Sequence, residues 1–239
     1  MNQYEKQAYQ EMLDWELSIL KKKNVFQQFS KKAQNKMNSY IPEKAHQVVT
    51  EAIKHMVKTT LVGSDFTTKK GRLVGEQLEE KEKIVRQKLE AYRKTAMLEG
   101  AGTGAGGIFL GLADFPLLLS IKMKFLFEAA TLYGYDTSKY EERLFILHVF
   151  QLAFSTDEKR REVYHFIKNW EVEKERLSDM DWRVFQQEYR DYIDLIKMMQ
   201  MIPGLGAVVG AYANYNLLDQ LGETAKNCYR LREFGERTS

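Results

Sequence analysis

The chain has a single cysteine, Cys228, among its 239 residues. No intramolecular disulfide can form, and a lone thiol fits a reducing compartment. Only three prolines occur, at positions 42, 116 and 203, so long uninterrupted helices are permitted. Four histidines are present, but none at H-x-x-x-H or H-E-x-x-H spacing, and no metal site is expected. There is no G-x-x-x-x-G-K-[ST] run, which argues against a P-loop ATPase. No alternating apolar–polar stretch has a hairpin partner, and no repeat of 20–50 residues is visible. The first residues, MNQYEKQAYQEMLDWEL, are charged throughout and lack an apolar signal core, so no exported context is expected.

Two further absences concern charge. From Leu17 to Pro42 there is no acidic residue, while Lys21, Lys22, Lys23, Lys31, Lys32 and Lys36 accumulate. The net charge of +3 is too small to imply nucleic acid, and no nucleic-acid-binding signature accompanies it, so none is expected as a partner. Phe26, Phe29, Ala33, Met37 and Tyr40 can share a helix face that leaves Lys31, Lys32 and Lys36 off it. Such a segment suits an anionic membrane surface as well as a solvated bundle face.

From Gly100 to Ile121 the sequence GAGTGAGGIFLGLADFPLLLSI carries one charge, Asp114. The run Pro203 to Leu218, PGLGAVVGAYANYNLL, is likewise glycine-rich and carries none. Both approach the length and polarity of a bilayer-crossing helix. Gly100 with Gly104, Gly107 with Gly111 and Gly206 with Gly210 are small-xxx-small pairs that let two helix backbones approach closely. Six glycines between Gly100 and Gly111 would each cost about 0.8–1.0 kcal/mol in a water-exposed helix, so close packing or membrane burial must offset them. Gly102, Gly104 and Gly107 also match G-x-G-x-x-G, but the preceding stretch is charged and helical rather than a strand, so no dinucleotide cofactor is expected.

Helical periodicity dominates elsewhere. Tyr4, Ala8, Met12, Trp15 and Ile19 form one stripe; Ala45, Val48, Val49, Ala52, Ile53, Met56 and Val57 another; Val74, Leu78, Val85, Leu89, Tyr92 and Ala96 a third. The second of these helices should start at Pro42 and stop at Gly63. Glu79 to Lys83 with Arg86 and Lys88 read as a solvated face. A loop is expected at Ser64–Thr68 and a turn at Tyr133–Asp136. Further helices are expected over Phe145–Phe154, Glu158–Arg176 and Ser178–Met201, the last capped by Ser178. A helix should begin at Pro116. The fold class is all-α: a multi-helix bundle of eight to ten helices with a central glycine-rich apolar helical hairpin.

Candidate chemistry is sparse. Asp114, alone in an apolar run, needs a partner, and Lys122 and Lys124 can reach it only if the chain bends at Pro116. His148 sits among Phe145, Ile146 and Phe150 as a core histidine. Met198, Met199 and Met201 read as core filler. No catalytic constellation emerges, and a non-enzymatic role is expected. The alternatives are a hydrolase-like enzyme with Asp114 in a pocket, and a bundle holding an apolar ligand beside Gly107 and Gly206.

Taken together, Ile41–His46, Gly63–Thr68, Gly102–Gly107 with Asp114-Phe115-Pro116, Tyr133–Asp136 and Ile202–Ala211 resemble the EcsC family along nearly the whole chain. The resemblance implies a single helical domain over 1–239, with basic amphipathic helices at 1–40, a helical arm at 42–99 and a glycine-rich core at 100–239. It also implies a Bacillus-like bacterial origin and a neighbourhood: the family's namesake operon encodes the ATPase and membrane subunits of an ABC transporter. Those subunits are the implied partners, at the cytoplasmic face of the membrane. No catalytic residue follows from the resemblance.

Overall fold

The computed structural model describes residues 1–21, 43–62, 75–103, 107–155, 159–178 and 209–236, with backbone alone at 43–46, 97–103, 107–113 and 209–215. Among the described residues the chain forms eight α-helices and no strand. They are α1 (Gln3–Leu20), α2 (Glu43–Val62), α3 (Leu78–Thr103), α4 (Gly107–Leu132), α5 (Tyr140–Phe154), α6 (Arg160–Lys168), α7 (Trp170–Ser178) and α8 (Val209–Glu236). The chain is an all-α bundle, as its periodicity predicts. The expected loop at Ser64–Thr68 and the helix after Ser178 lie outside the described residues.

Local signals set the ends of these helices. Asn2 caps α1 in a capping box: its side chain accepts the Glu5 N–H at 2.8 Å, and Glu5 Oε2 accepts the Asn2 N–H at 2.9 Å. Helix α2 occupies the span set by Pro42 and Gly63. Helix α4 ends in a Schellman motif, with Tyr135 N–H donating to Ala130 O and Gly134 N–H to Thr131 O, both at 3.0 Å. Gly134 supplies the φ of +101° that this cap requires.

Two expectations fail for identifiable reasons. Pro116 lies inside α4 rather than at its start. It removes one intrahelical hydrogen bond but sits on an exposed side, while its neighbours Phe115, Leu118 and Leu119 are buried. Tertiary burial on one face outweighs the local break on the other. The single helix expected over Glu158–Arg176 is instead two, α6 and α7. At the junction, the Asn169 backbone and side-chain N–H groups both donate to His165 O, at 3.1 and 3.0 Å. A short polar side chain competing for a backbone carbonyl favours such a break.

The core is centred on α5 and α8. Helix α5 is buried on nearly all sides, from Leu144 through Phe154. Helix α8 packs against α1, α3, α4, α5 and α6, and α2 packs against α4 and α5. The expected stripes point inward: Ala8, Met12 and Ile19 of α1, Val49, Ile53, Met56 and Val57 of α2, and Leu78, Val85 and Ala96 of α3 are buried. Val48 is exposed, however, so the α2 stripe is narrower than expected.

Helices α3 and α4 pack antiparallel. Lys88 pairs with Glu128 at 2.6 Å, and Tyr92 donates to Glu128 at 2.9 Å and packs edge-on against Phe125. The partner of the apolar helix is thus the charged α3, not only the second glycine-rich run. Helices α3 and α8 are also antiparallel: Arg93 meets Asp219, and Glu82 meets Arg230. Extending that register by ten residues brings Thr103 level with Val209. The two glycine-rich runs therefore share one end of the bundle. Gly104 and Gly206 fall outside the described residues, as do the surroundings of Gly100, Gly107, Gly111 and Gly210.

No helix among the described residues is long and apolar enough to cross a membrane. Helix α4 has the length, at 26 residues, but Asp114, Lys122, Lys124 and Glu128 interrupt it. From Phe115 onward most of its side chains are core.

Candidate functional site

The residues singled out from sequence do not converge. Asp114 and Lys122 lie on one continuous helix, eight residues and so about 12 Å apart along its axis, too far for an ion pair with each other. The bend at Pro116 that would have joined them is absent. Asp114 is partly exposed, with one carboxylate oxygen enclosed and lacking a hydrogen-bond partner among the described residues. Lys122 is fully buried and Lys124 is exposed, on different faces of α4. Burial pulls the Lys122 ammonium down to about 7. Of the six basic residues expected near a membrane surface, only Lys21 is described, exposed just beyond α1. Cys228 is buried, which raises its thiol pKa well above the ordinary value and leaves it unreactive.

His148 is a core histidine. Its Nδ1 lies 2.8 Å from Leu144 O, one turn back on α5, and its ring packs near Phe166 and Trp170. A carbonyl only accepts, so Nδ1 carries the proton. Burial depresses the pKa to about 4, against a smaller opposing effect of that hydrogen bond. An unfolded histidine titrates near 6.5, so this contribution to stability is complete above that pH and is lost as pH falls toward 4. Calorimetric melting temperatures should therefore drop between pH 6.5 and 4, and His148→Leu should flatten that part of the profile. An unchanged slope in the variant would show that another group controls it.

The polar centre of the molecule lies elsewhere, where α8 crosses α1 and α3. Arg230 donates to both oxygens of Glu82, at 2.6 and 2.7 Å, to Glu11 at 2.9 Å and to Ala8 O at 3.2 Å. Side chains of both Arg230 and Glu82 are at most 3% exposed. Burial alone would lower the Arg230 pKa, but hydrogen bonds and charge from Glu82, then Glu11, raise it overall. Tyr4 donates to Glu82 at 2.7 Å; burial first, and the Glu82 carboxylate second, push its hydroxyl up to about 12. One turn along, Lys81 reaches Glu233 and donates to Tyr133 O at 3.2 Å. Arg232 grips Glu142 through two hydrogen bonds, at 2.6 and 2.8 Å, and stacks 3.7 Å over the Tyr135 ring. Tyr229 stacks on both Tyr133 and Tyr135. Lys81 and Glu82 are thus buried rather than part of the solvated face expected from sequence.

Beside this network a groove of about 250 Å³ runs between α3 and α8. Val85, Leu89, Gly222 and Tyr133 are among its apolar lining; Arg86, Glu90, Glu223 and Lys226 are among its charged lining. At Gly222 the missing side chain leaves room for the tip of Leu89, whose Cδ2 would lie 2.4 Å from a Cβ there. None of Arg230, Tyr133 or the groove was anticipated. The usable signal was the width of the buried stripe on α8, where Leu218, Leu221, Ala225 and Tyr229 place Arg230 at its margin.

These features define an all-α protein with a buried ionic cluster and no assembled catalytic set among the described residues. A sequence model of the EcsC protein family matches residues 6–234. Protein EcsC of Bacillus subtilis (strain 168) is 53% identical over 223 residues, covering 93% of each chain. The uncharacterized protein YdbA of the same organism is 34% identical over 146 residues, 59% of this chain and 54% of its own. No solved structure matches. The chain belongs to the EcsC family.

Proposed function

We propose that this protein is a non-enzymatic accessory factor on the cytoplasmic face of the membrane, touching the bilayer through the shared end of α3, α4 and α8. The observation that carries the reading is the register that gathers both glycine-rich runs at that end. In sequence, no charge lies between Glu99 and Asp114 or between Lys197 and Asp219. From Glu99 to the end of α3 at Thr103 is four residues, or about 6 Å of helix. That matches the depth of roughly 5–10 Å reached by interfacial elements. It suits shallow contact rather than spanning. The lysines from Lys21 to Lys36 add attraction for anionic lipid. The ATPase and membrane subunits of an ABC transporter are the proposed partners, on the strength of the family resemblance.

Vesicle flotation tests the lipid contact. With anionic vesicles at low ionic strength the protein should float, and raising salt should weaken this by screening the lysines. Ile108→Asp should abolish flotation. A protein that stays in the bottom fraction with anionic vesicles at low salt rules out the membrane contact. Cross-linking in intact cells to the transporter's membrane subunit tests the partner separately.

A further inference from the structure

The groove between α3 and α8 has a charge order that its structural role does not require. At its two ends opposite charges face each other across the helices: Glu82 with Arg230, and Arg93 with Asp219. Between them the same antiparallel register sets like against like. Arg86 comes level with Lys226, and one turn along Glu90 comes level with Gly222 and Glu223. Like charges across a helix interface are unfavourable when nothing lies between them. Neighbours on the same helix relieve part of this, since Glu90 meets Arg93 and Glu223 meets Lys226 at 2.8 Å. Arg86 has no ion-pair partner among the described residues.

A second observation is independent of these charges. Tyr133 lines the groove and is 2% exposed, yet its hydroxyl has no hydrogen-bond partner among the described residues. Burial, and next the Glu82 carboxylate, raise its pKa well above the ordinary value, so it remains a donor. A buried hydroxyl with no partner is unfavourable unless something in the adjoining space accepts its proton.

We propose that this groove binds a small zwitterion, its anionic end between Arg86 and Lys226 and its ammonium between Glu90 and Glu223. The Tyr133 hydroxyl donates to the anionic end. The two charge pairs are about one helical turn apart, roughly 6 Å along the axis. A phosphate or carboxylate joined to a primary amine through two or three methylenes spans that distance. The groove volume suits a ligand of this size and is too small for an acyl chain. Free phosphoethanolamine and the phosphatidylethanolamine head group present the same chemistry. The proposal does not depend on the membrane contact, because binding of the free compound is read in solution.

Calorimetric titration with O-phosphoethanolamine, inorganic phosphate and ethanolamine provides the test, alongside flotation with phosphatidylcholine vesicles with and without phosphatidylethanolamine. Phosphoethanolamine should bind at least about tenfold more tightly than either single-charge probe, and both Arg86→Ala and Tyr133→Phe should weaken it by about tenfold or more. If the natural source is lipid, only the phosphatidylethanolamine vesicles will show an Arg86-sensitive gain, and the free compound will bind weakly. Arg86 is exposed, so its removal leaves the fold intact as a control. Phosphate alone binding as tightly as the zwitterion, binding indifferent to Arg86→Ala, or no response in either arm would overturn the proposal.

Discussion

Arg230→Met should destabilise the protein by about 3–5 kcal/mol, the range for removing one partner of a buried ion pair. Arg230 donates to both oxygens of Glu82, one of which Tyr4 also reaches, and ties Glu11 and the Ala8 carbonyl to α8. Its loss strands a carboxylate that is 2% exposed. Most of the penalty should come from that stranded charge rather than from lost attraction. The double variant Arg230→Met with Glu82→Leu should therefore recover much of the lost stability. Urea denaturation followed by circular dichroism measures both. A double variant no more stable than the single one would mean that the pair positions α1 in a way that apolar packing cannot replace.

Lys122→Met should abolish a rise in stability that the parent chain shows between pH 7 and 9.5. The Lys122 side chain is fully buried in the most apolar helix of the bundle, and its pKa falls from 10.5 to about 7. Below pH 7 both folded and unfolded chains carry the charge, and the folded state bears a cost for burying it. As pH rises from 7 toward 10 the folded lysine is neutral while the unfolded one stays charged, and the penalty is relieved. Stability of the parent chain should thus climb between pH 7 and 9.5, and the Met variant should lack that climb. A slope that survives in the variant would show that another group titrates in that range.

Much of the fold could be read from sequence because its causes are local. The stripe from Ala8 to Ile19, the span of α2 and the turn at Gly134 each follow from spacing or from a single backbone requirement. Pro116 misled because its consequence depends on which face of α4 is buried, and only tertiary packing decides that. Asn169 was missed because one asparagine amid good helix formers is a weak signal until its side chain takes the His165 carbonyl. The polar centre was illegible for another reason. Glu82 and Arg230 are 148 residues apart, and the charged run from Glu79 to Lys88 looks solvated until α8 is laid across part of it. The groove inherits that difficulty, since its charge order exists only in the register between two distant helices.

The clasp between Glu11 and Arg230 joins α1 to α8, the first and last of the described helices. On a ribosome, everything up to α7 emerges before the element that covers Glu82, Tyr133 and the aromatic face of α5. Until then the nascent bundle holds an open seam of carboxylates and rings. Its folding must wait for α8, and a product cut short before Arg230 should be degraded or retained by chaperones rather than accumulate as a smaller working version.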